Sequence, residues 1–178
     1  IVCPSPYMQR FLQQFGYESL VIENVLDIAS YPFQHKKQFR PRILWMRSFS
    51  DIYHPFMAVE VAALLAKKYP GFYMAMAGGD LGLLQQTKDL VASKGLEDKV
   101  RFPGYLSHQD KIHYAADYDI YICTNRIDNA PVTVTEYMAL GLAVVSVDTG
   151  GIPFMISNGY NGLLVPFGDA AAMAAAIE

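Results

Sequence analysis

The sequence is 178 residues long, 52% of them hydrophobic, and carries a formal net charge of −3 at neutral pH. That length suits one compact domain with a sizeable core. Acidic and basic residues are interspersed, which argues against the basic stripe that tracks a nucleic-acid backbone.

Cys3 and Cys123 are the only cysteines; their number and spacing give neither a disulfide framework nor a metal-ligand cluster, so a reducing, cytoplasmic setting is expected. No run approaches the roughly 20 apolar residues that cross a bilayer, and the first residues lack the charged-then-apolar order of a leader. The chain opens at Ile1 without an initiator Met and stops at Glu178 inside an Ala-rich helical run with no Gly or Asn to end it, the pattern expected of a piece of something longer.

In chain order, Pro6 is placed to begin a helix in which Tyr7, Met8, Phe11, Leu12 and Phe15 recur at helical spacing until Gly16. The polar and aromatic stretch from Ser30 to Arg40 has no period and reads as a connector to the main body. Short apolar runs then alternate with segments of helical period. The runs Ile43 to Met46, Phe72 to Ala77, Val100 to Phe102, Ile120 to Cys123, Ala143 to Val147 and Gly162 to Val165 read as strands covered on both faces. Helices are expected over Met57 to Lys68, Leu83 to Lys94, His108 to Ala116, Val132 to Leu140 and Pro153 to Asn158, with another after Asp169. The alternation predicts an α/β fold, a Rossmann-like doubly wound parallel sheet of six strands.

The stretch Asp128-Asn-Ala-Pro-Val-Thr-Val-Thr-Glu136 follows the strand ending near Cys123 and opens a helix. Free N–H groups of Val132 and Thr133 at such a helix start, with the positive end of the dipole, form a site ready for phosphate. Glu136 lies one turn on and shares a face with Val132 and Thr133. On spacing alone, Asp128 and Asn129 equally well just shape the turn, with Glu136 a solvated helix residue. Arg47, at a strand end, presents a planar fork that matches phosphate oxygens or pairs with a nearby carboxylate. Gly78 and Gly79 follow a strand and permit close backbone approach or a tight turn; they are not the spaced three-glycine fingerprint of a nicotinamide dinucleotide site. Gly150 and Gly151 allow the same two readings.

This text resembles the retaining glycosyltransferases of group 1, also called family 4, which have the two-domain GT-B fold. Their acid, seven residues and Glu, leading into Ala-Met-Ala-x-Gly-x-Pro-Val-Val, are matched by Asp128, Glu136 and Tyr-Met-Ala-Leu-Gly-Leu-Ala-Val-Val at 137–145. Asp-Thr-Gly-Gly-Ile-Pro at 148–153, Asn-Gly-Tyr-Asn-Gly-Leu-Leu-Val-Pro at 158–166 and Val-Ile-Glu-Asn-Val-Leu-Asp at 21–27 continue the likeness. Ile43-Leu-Trp-Met-Arg-Ser-Phe49 resembles the family's strand and loop ending in Gly-Arg, and Val100-Arg-Phe-Pro-Gly-Tyr105 its base-binding turn. The departures are Glu23, Val25, Met46 for Gly, Asp128 for the more usual Glu, and Tyr53-His54-Pro55 where a Lys-Gly pair is common.

The resemblance implies a hexosyltransferase that moves a sugar from a nucleotide-diphosphate donor to a glycan or lipid-linked acceptor with retained configuration, without cofactor or metal. Residues 1–40 would be the crossover from an acceptor-binding domain and 41–178 the nucleotide-sugar-binding domain, inactive alone; membrane-surface association would come through the other domain. Glu136 would bind the ribose, Asp128 the transferred sugar, and Arg47 with the Val132 and Thr133 amides the diphosphate. Gly78 and Phe102 would border the donor, and Tyr53 or His54 would stand in for the lysine. A sugar-nucleotide epimerase of similar architecture and a non-catalytic binding module are the alternatives.

Overall fold

The computed structural model describes residues 1–178 and places the sheet as the alternation predicts. Six strands lie parallel in the order β5-β4-β3-β6-β7-β8: β3 (Arg42–Met46), β4 (Tyr73–Ala77), β5 (Val100–Gly104), β6 (Ile120–Cys123), β7 (Ala143–Val147) and β8 (Leu163–Val165). Chain order runs outward from β3 to one edge and from β6 to the other, so the sheet reverses direction of growth between β3 and β6. That switch point opens a crevice beyond the carboxyl ends of the two central strands. Helices α2 (Pro55–Lys68), α3 (Leu84–Ser93), α4 (His108–Asp117), α5 (Val132–Ala139) and α6 (Ala170–Ile177) connect and cover the strands. Ile43, Leu44 and Trp45 on β3 and Tyr121 and Ile122 on β6 are fully buried, as strands enclosed on both faces require.

The first 31 residues add a unit the sequence pattern only partly shows. β1 (Val2–Cys3) and β2 (Leu20–Val21) pair in parallel around α1 (Pro6–Gln13), whose N-cap Ser5 accepts from the Met8 amide at 3.1 Å. The connector is held by charge: Arg40 reaches the fully buried Asp119 with Nε–Oδ2 of 2.8 Å and Nη2–Oδ1 of 3.0 Å, and Lys36 donates to the Ala115 carbonyl at 2.7 Å. The helix expected over Pro153 to Asn158 is instead one 3-10 turn, Ile152–Phe154. Asn161 stops it, because its side chain accepts from the Ser157 amide at 2.7 Å and donates to the Met155 carbonyl at 3.0 Å.

Candidate active site

At the crevice, Arg47 follows β3, Gly78 follows β4, and Asp128 lies in the loop between β6 and α5. A cavity of about 180 Å³ there is lined by Arg47, Ser48, Tyr53, Gly78, Lys111 and Thr133, among others. Arg47 points its fork at Asp128, Nη2–Oδ2 2.5 Å, and its guanidinium stands 4.9 Å from the centre of the Tyr53 ring. Burial opposes the guanidinium charge, yet the pKa is raised, and Asp128 is the one carboxylate among the neighbours that favour the charged form. Arg47 thus takes the carboxylate pairing open to it, and its partner is another of the residues marked for chemistry. Arg47 Nε is buried without a partner, leaving a donor to spare.

Backbone packing fixes this arrangement. The Gly78 amide donates to the Gly104 carbonyl at 2.8 Å, its φ is 146°, and a Cβ there would lie 1.9 Å from the Arg47 carbonyl oxygen. On the other side the Gly151 amide donates to the Asp128 carbonyl at 2.8 Å, and a Cβ on Gly151 would lie 1.7 Å from the Asn129 oxygen. Both glycine sites thus serve close approach, to the backbones that carry Arg47 and Asp128. Asn125 Nδ2 donates to Asp128 Oδ2 at 2.8 Å, and Ser5 donates to Asn129, so α1 is tied to the same loop.

Thr133 borders the cavity, near the start of α5, whose N-cap Pro131 offers no side-chain cap and leaves the Val132 and Thr133 amides uncapped. The Val132 side chain lines a neighbouring cavity of about 230 Å³ with Ser5, Asn24 and Phe154. Phe102 does not border either cavity; it packs 5.9 Å from the Phe49 ring, and Tyr105 and Leu106 line the site in its place.

Glu136 is only 5% exposed rather than solvated. Lys111 on α4 donates to both its oxygens, at 2.8 and 2.9 Å, and the Tyr31 hydroxyl donates to Oε1 at 2.8 Å. Burial, then the hydrogen bond to Glu136, pushes the Tyr31 phenol up to about 12, so it remains a donor. Neither Lys111 nor Tyr31 stood out in the sequence, because each meets Glu136 across a long separation and neither lies in a motif.

His54 is the one non-glycine residue with positive φ, at 48°. Its Nδ1 is buried and unpartnered, its ring lies 5.1 Å from that of Phe167, and burial, then the charge of Arg126, lowers its pKa below the ordinary 6.5. A depressed folded-state pKa means that stability held above pH 6.5 is lost as the pH falls below it, because the unfolded chain takes up the proton first. Asn tolerates left-handed backbone and does not titrate. His54→Asn is expected to raise the melting temperature by about 1–4 °C, from about 0.5–1 kcal/mol of relieved strain, and to flatten the loss between about pH 7 and 5. Calorimetric scans at both pH values check it; an unchanged acid slope would exclude titration of His54 as its source.

Fold and site together define an α/β domain with a cationic crevice at the switch point of a doubly wound sheet, flanked by two held carboxylates. This chain belongs to the family described as "Glycosyl transferases group 1", whose model matches residues 27–178. It is 30% identical to the lipopolysaccharide core biosynthesis glycosyltransferase LpsE of Rhizobium meliloti, across 100% of this chain and 52% of that protein. It is 33% identical to the amylovoran biosynthesis glycosyltransferase AmsK of Erwinia amylovora, across 67% of this chain and 30% of that protein. The chain thus spans about half or less of the length of these relatives. Among solved structures, Anabaena HepE in complex with UDP-glucose matches 99% of this chain and 52% of its own at 21% identity and a TM-score of 0.85. Staphylococcus aureus TarM matches 99% of this chain and 35% of its own at 20% identity and a TM-score of 0.83. The six-stranded parallel sheet is that of one half of a GT-B fold.

Proposed function

We propose that this chain is the donor-binding half of a retaining hexosyltransferase that acts on a glycan or lipid-linked acceptor in polysaccharide biosynthesis. The observation that carries this reading is the convergence of the Arg47 fork, the uncapped start of α5 and the paired Asp128 at one crevice. Arg47 and the Val132 and Thr133 amides meet the diphosphate and stabilise the charge that grows on it as the sugar leaves. Asp128 holds the transferred sugar. Glu136, kept in place by Lys111 and Tyr31, accepts from the ribose hydroxyls through its remaining lone pairs. Residues 1–40 form the crossover, tied to the site through the Ser5–Asn129 and Tyr31–Glu136 hydrogen bonds.

A cavity of about 180 Å³ is smaller than the roughly 300–1,000 Å³ that encloses a whole ligand, so the donor needs a second wall, which an acceptor-binding domain supplies. HepE and the pneumococcal O-GlcNAc transferase GtfA, in complexes with UDP, support a nucleotide donor here. No helix is long and apolar enough to cross a membrane, and free Cys3 and Cys123 fit a reducing cytoplasm.

Calorimetric titration with UDP-, GDP- and ADP-sugars tests the reading and identifies the base. A nucleoside diphosphate is expected to bind at least about tenfold more tightly than its monophosphate. Glu136→Ala is expected to weaken diphosphate and sugar nucleotide alike, by about 1–2 kcal/mol. Binding is expected to survive EDTA, because the groups facing the phosphate are a guanidinium and amides and need no bridging cation. No affinity for any nucleotide would reduce the chain to a silent module, and loss in EDTA restored by magnesium would overturn the phosphate site as described.

A further inference from the structure

The amino ends of β3, β4 and β5 carry a further cavity, of about 500 Å³, which the donor reading leaves unused. Arg42 opens β3 and Arg47 follows its last residue, about 16 Å along the chain, so this cavity and the one at Arg47 lie at opposite ends of one strand.

Its wall is a ladder of tyrosines. Tyr73 and Tyr118 have ring centres 6.5 Å apart, and Tyr118 and Tyr114 stack at 5.9 Å, 11° from parallel. The Arg101 guanidinium stands 4.4 Å from the Tyr73 ring centre. Arg42, Lys99 and His113 add donors, and Asp98 and Asp117 add acceptors. Tyr118 is 3% exposed, and its hydroxyl has no hydrogen-bond partner, which is rare for a buried polar group. Burial pushes that phenol up to about 12, so it stays a donor throughout the working range.

The partly exposed Tyr73 and Tyr114 rings suit the C–H face of a pyranose ring, carboxylates accept from sugar hydroxyls, and an arginine fork grips a carboxylate in bidentate fashion. Arg42, Lys99 and Arg101 outnumber Asp98 and Asp117, so a sugar bearing a carboxylate is favoured over a neutral one. Free phosphate would gain nothing from the ladder and would face the two aspartates. We propose that this cavity is a second saccharide site that takes a segment of an acidic glycan, separate from the donor crevice. The inference does not depend on the donor reading.

Titrating the chain with a hyaluronan tetrasaccharide, by calorimetry and amide NMR, tests it. Binding is expected to perturb the amides of β4, β5 and α4, and to weaken about tenfold in Arg101→Ala and in Tyr114→Ala. Excess inorganic pyrophosphate should not displace the saccharide, and neutral chitotetraose should bind at least about fivefold more weakly. Tyr118→Phe keeps the ring stack, so a severalfold weakening at unchanged melting temperature would assign the loss to the hydroxyl even if Tyr114→Ala fails to fold. No binding of the tetrasaccharide would overturn the proposal. So would equal binding of chitotetraose, displacement by pyrophosphate, or Arg101-dependent binding only to phosphatidylglycerol vesicles.

Discussion

Gly78→Ala is expected to destabilise the chain by about 3–5 kcal/mol, the sum of backbone strain and overpacking, each of which costs about 1–3 kcal/mol. The φ of 146° disfavours any side chain, and the new Cβ would sit 1.9 Å from the Arg47 carbonyl oxygen, a backbone atom that cannot swing aside. Either β4 withdraws, breaking the 2.8 Å bond from the Gly78 amide to the Gly104 carbonyl, or β3 does, taking Arg47 with it. For a chain of this size each kcal/mol shifts the melting temperature by about 2–4 °C, so a drop of about 6–20 °C is expected. Gly79→Ala is the control, since nothing lies within 4 Å of its Cβ and its φ is not positive; it should change stability by no more than about 1 kcal/mol. Urea unfolding of both variants checks the contrast, and equal midpoints would show that the strands do not approach at Gly78 as described.

The sheet was legible because its strands are apolar on both faces and its helices have a clear period. Every strand from β3 to β8 falls within two residues of the pattern. Local motifs also marked Arg47, Asp128, Thr133 and Glu136, since a strand end and a helix start are local events. What a motif does not carry is who holds whom. Tyr31 and Lys111 reach Glu136 from 105 and 25 residues away, and no periodicity links them. Gly151 looked like a turn or a donor contact, yet its role is to let the loop of Asp128 pack against it. Phe102 was named from a turn whose cavity-lining residues are Tyr105 and Leu106, three and four positions on.

Arg47 and Asp128 are expected to differ in their effect on free diphosphate, and that contrast separates a functional pair from a structural one. Arg47→Ala removes the fork and should weaken a nucleoside diphosphate by about 1.5–3 kcal/mol, roughly 10–150-fold. That fork is engaged by Asp128 at 2.5 Å, so an entering diphosphate shares it with a resident negative charge. Asp128→Asn removes the competing charge and still offers an oxygen to Asn125, so free diphosphate should bind as well as before or more tightly. The sugar nucleotide should nonetheless lose affinity in Asp128→Asn, because the carboxylate that meets the sugar hydroxyls is gone. In the full-length enzyme, turnover should fall about a hundredfold, the cost of misplacing the reacting sugar by about 1 Å. If the pair only shapes the loop, both variants should melt lower and lose every ligand in the same proportion. Titrating each with diphosphate and with sugar nucleotide, beside its melting temperature, therefore decides the matter: free diphosphate held or gained beside a loss of sugar nucleotide in Asp128→Asn, at an unchanged melting temperature, fits the functional pair and not one that only shapes the loop.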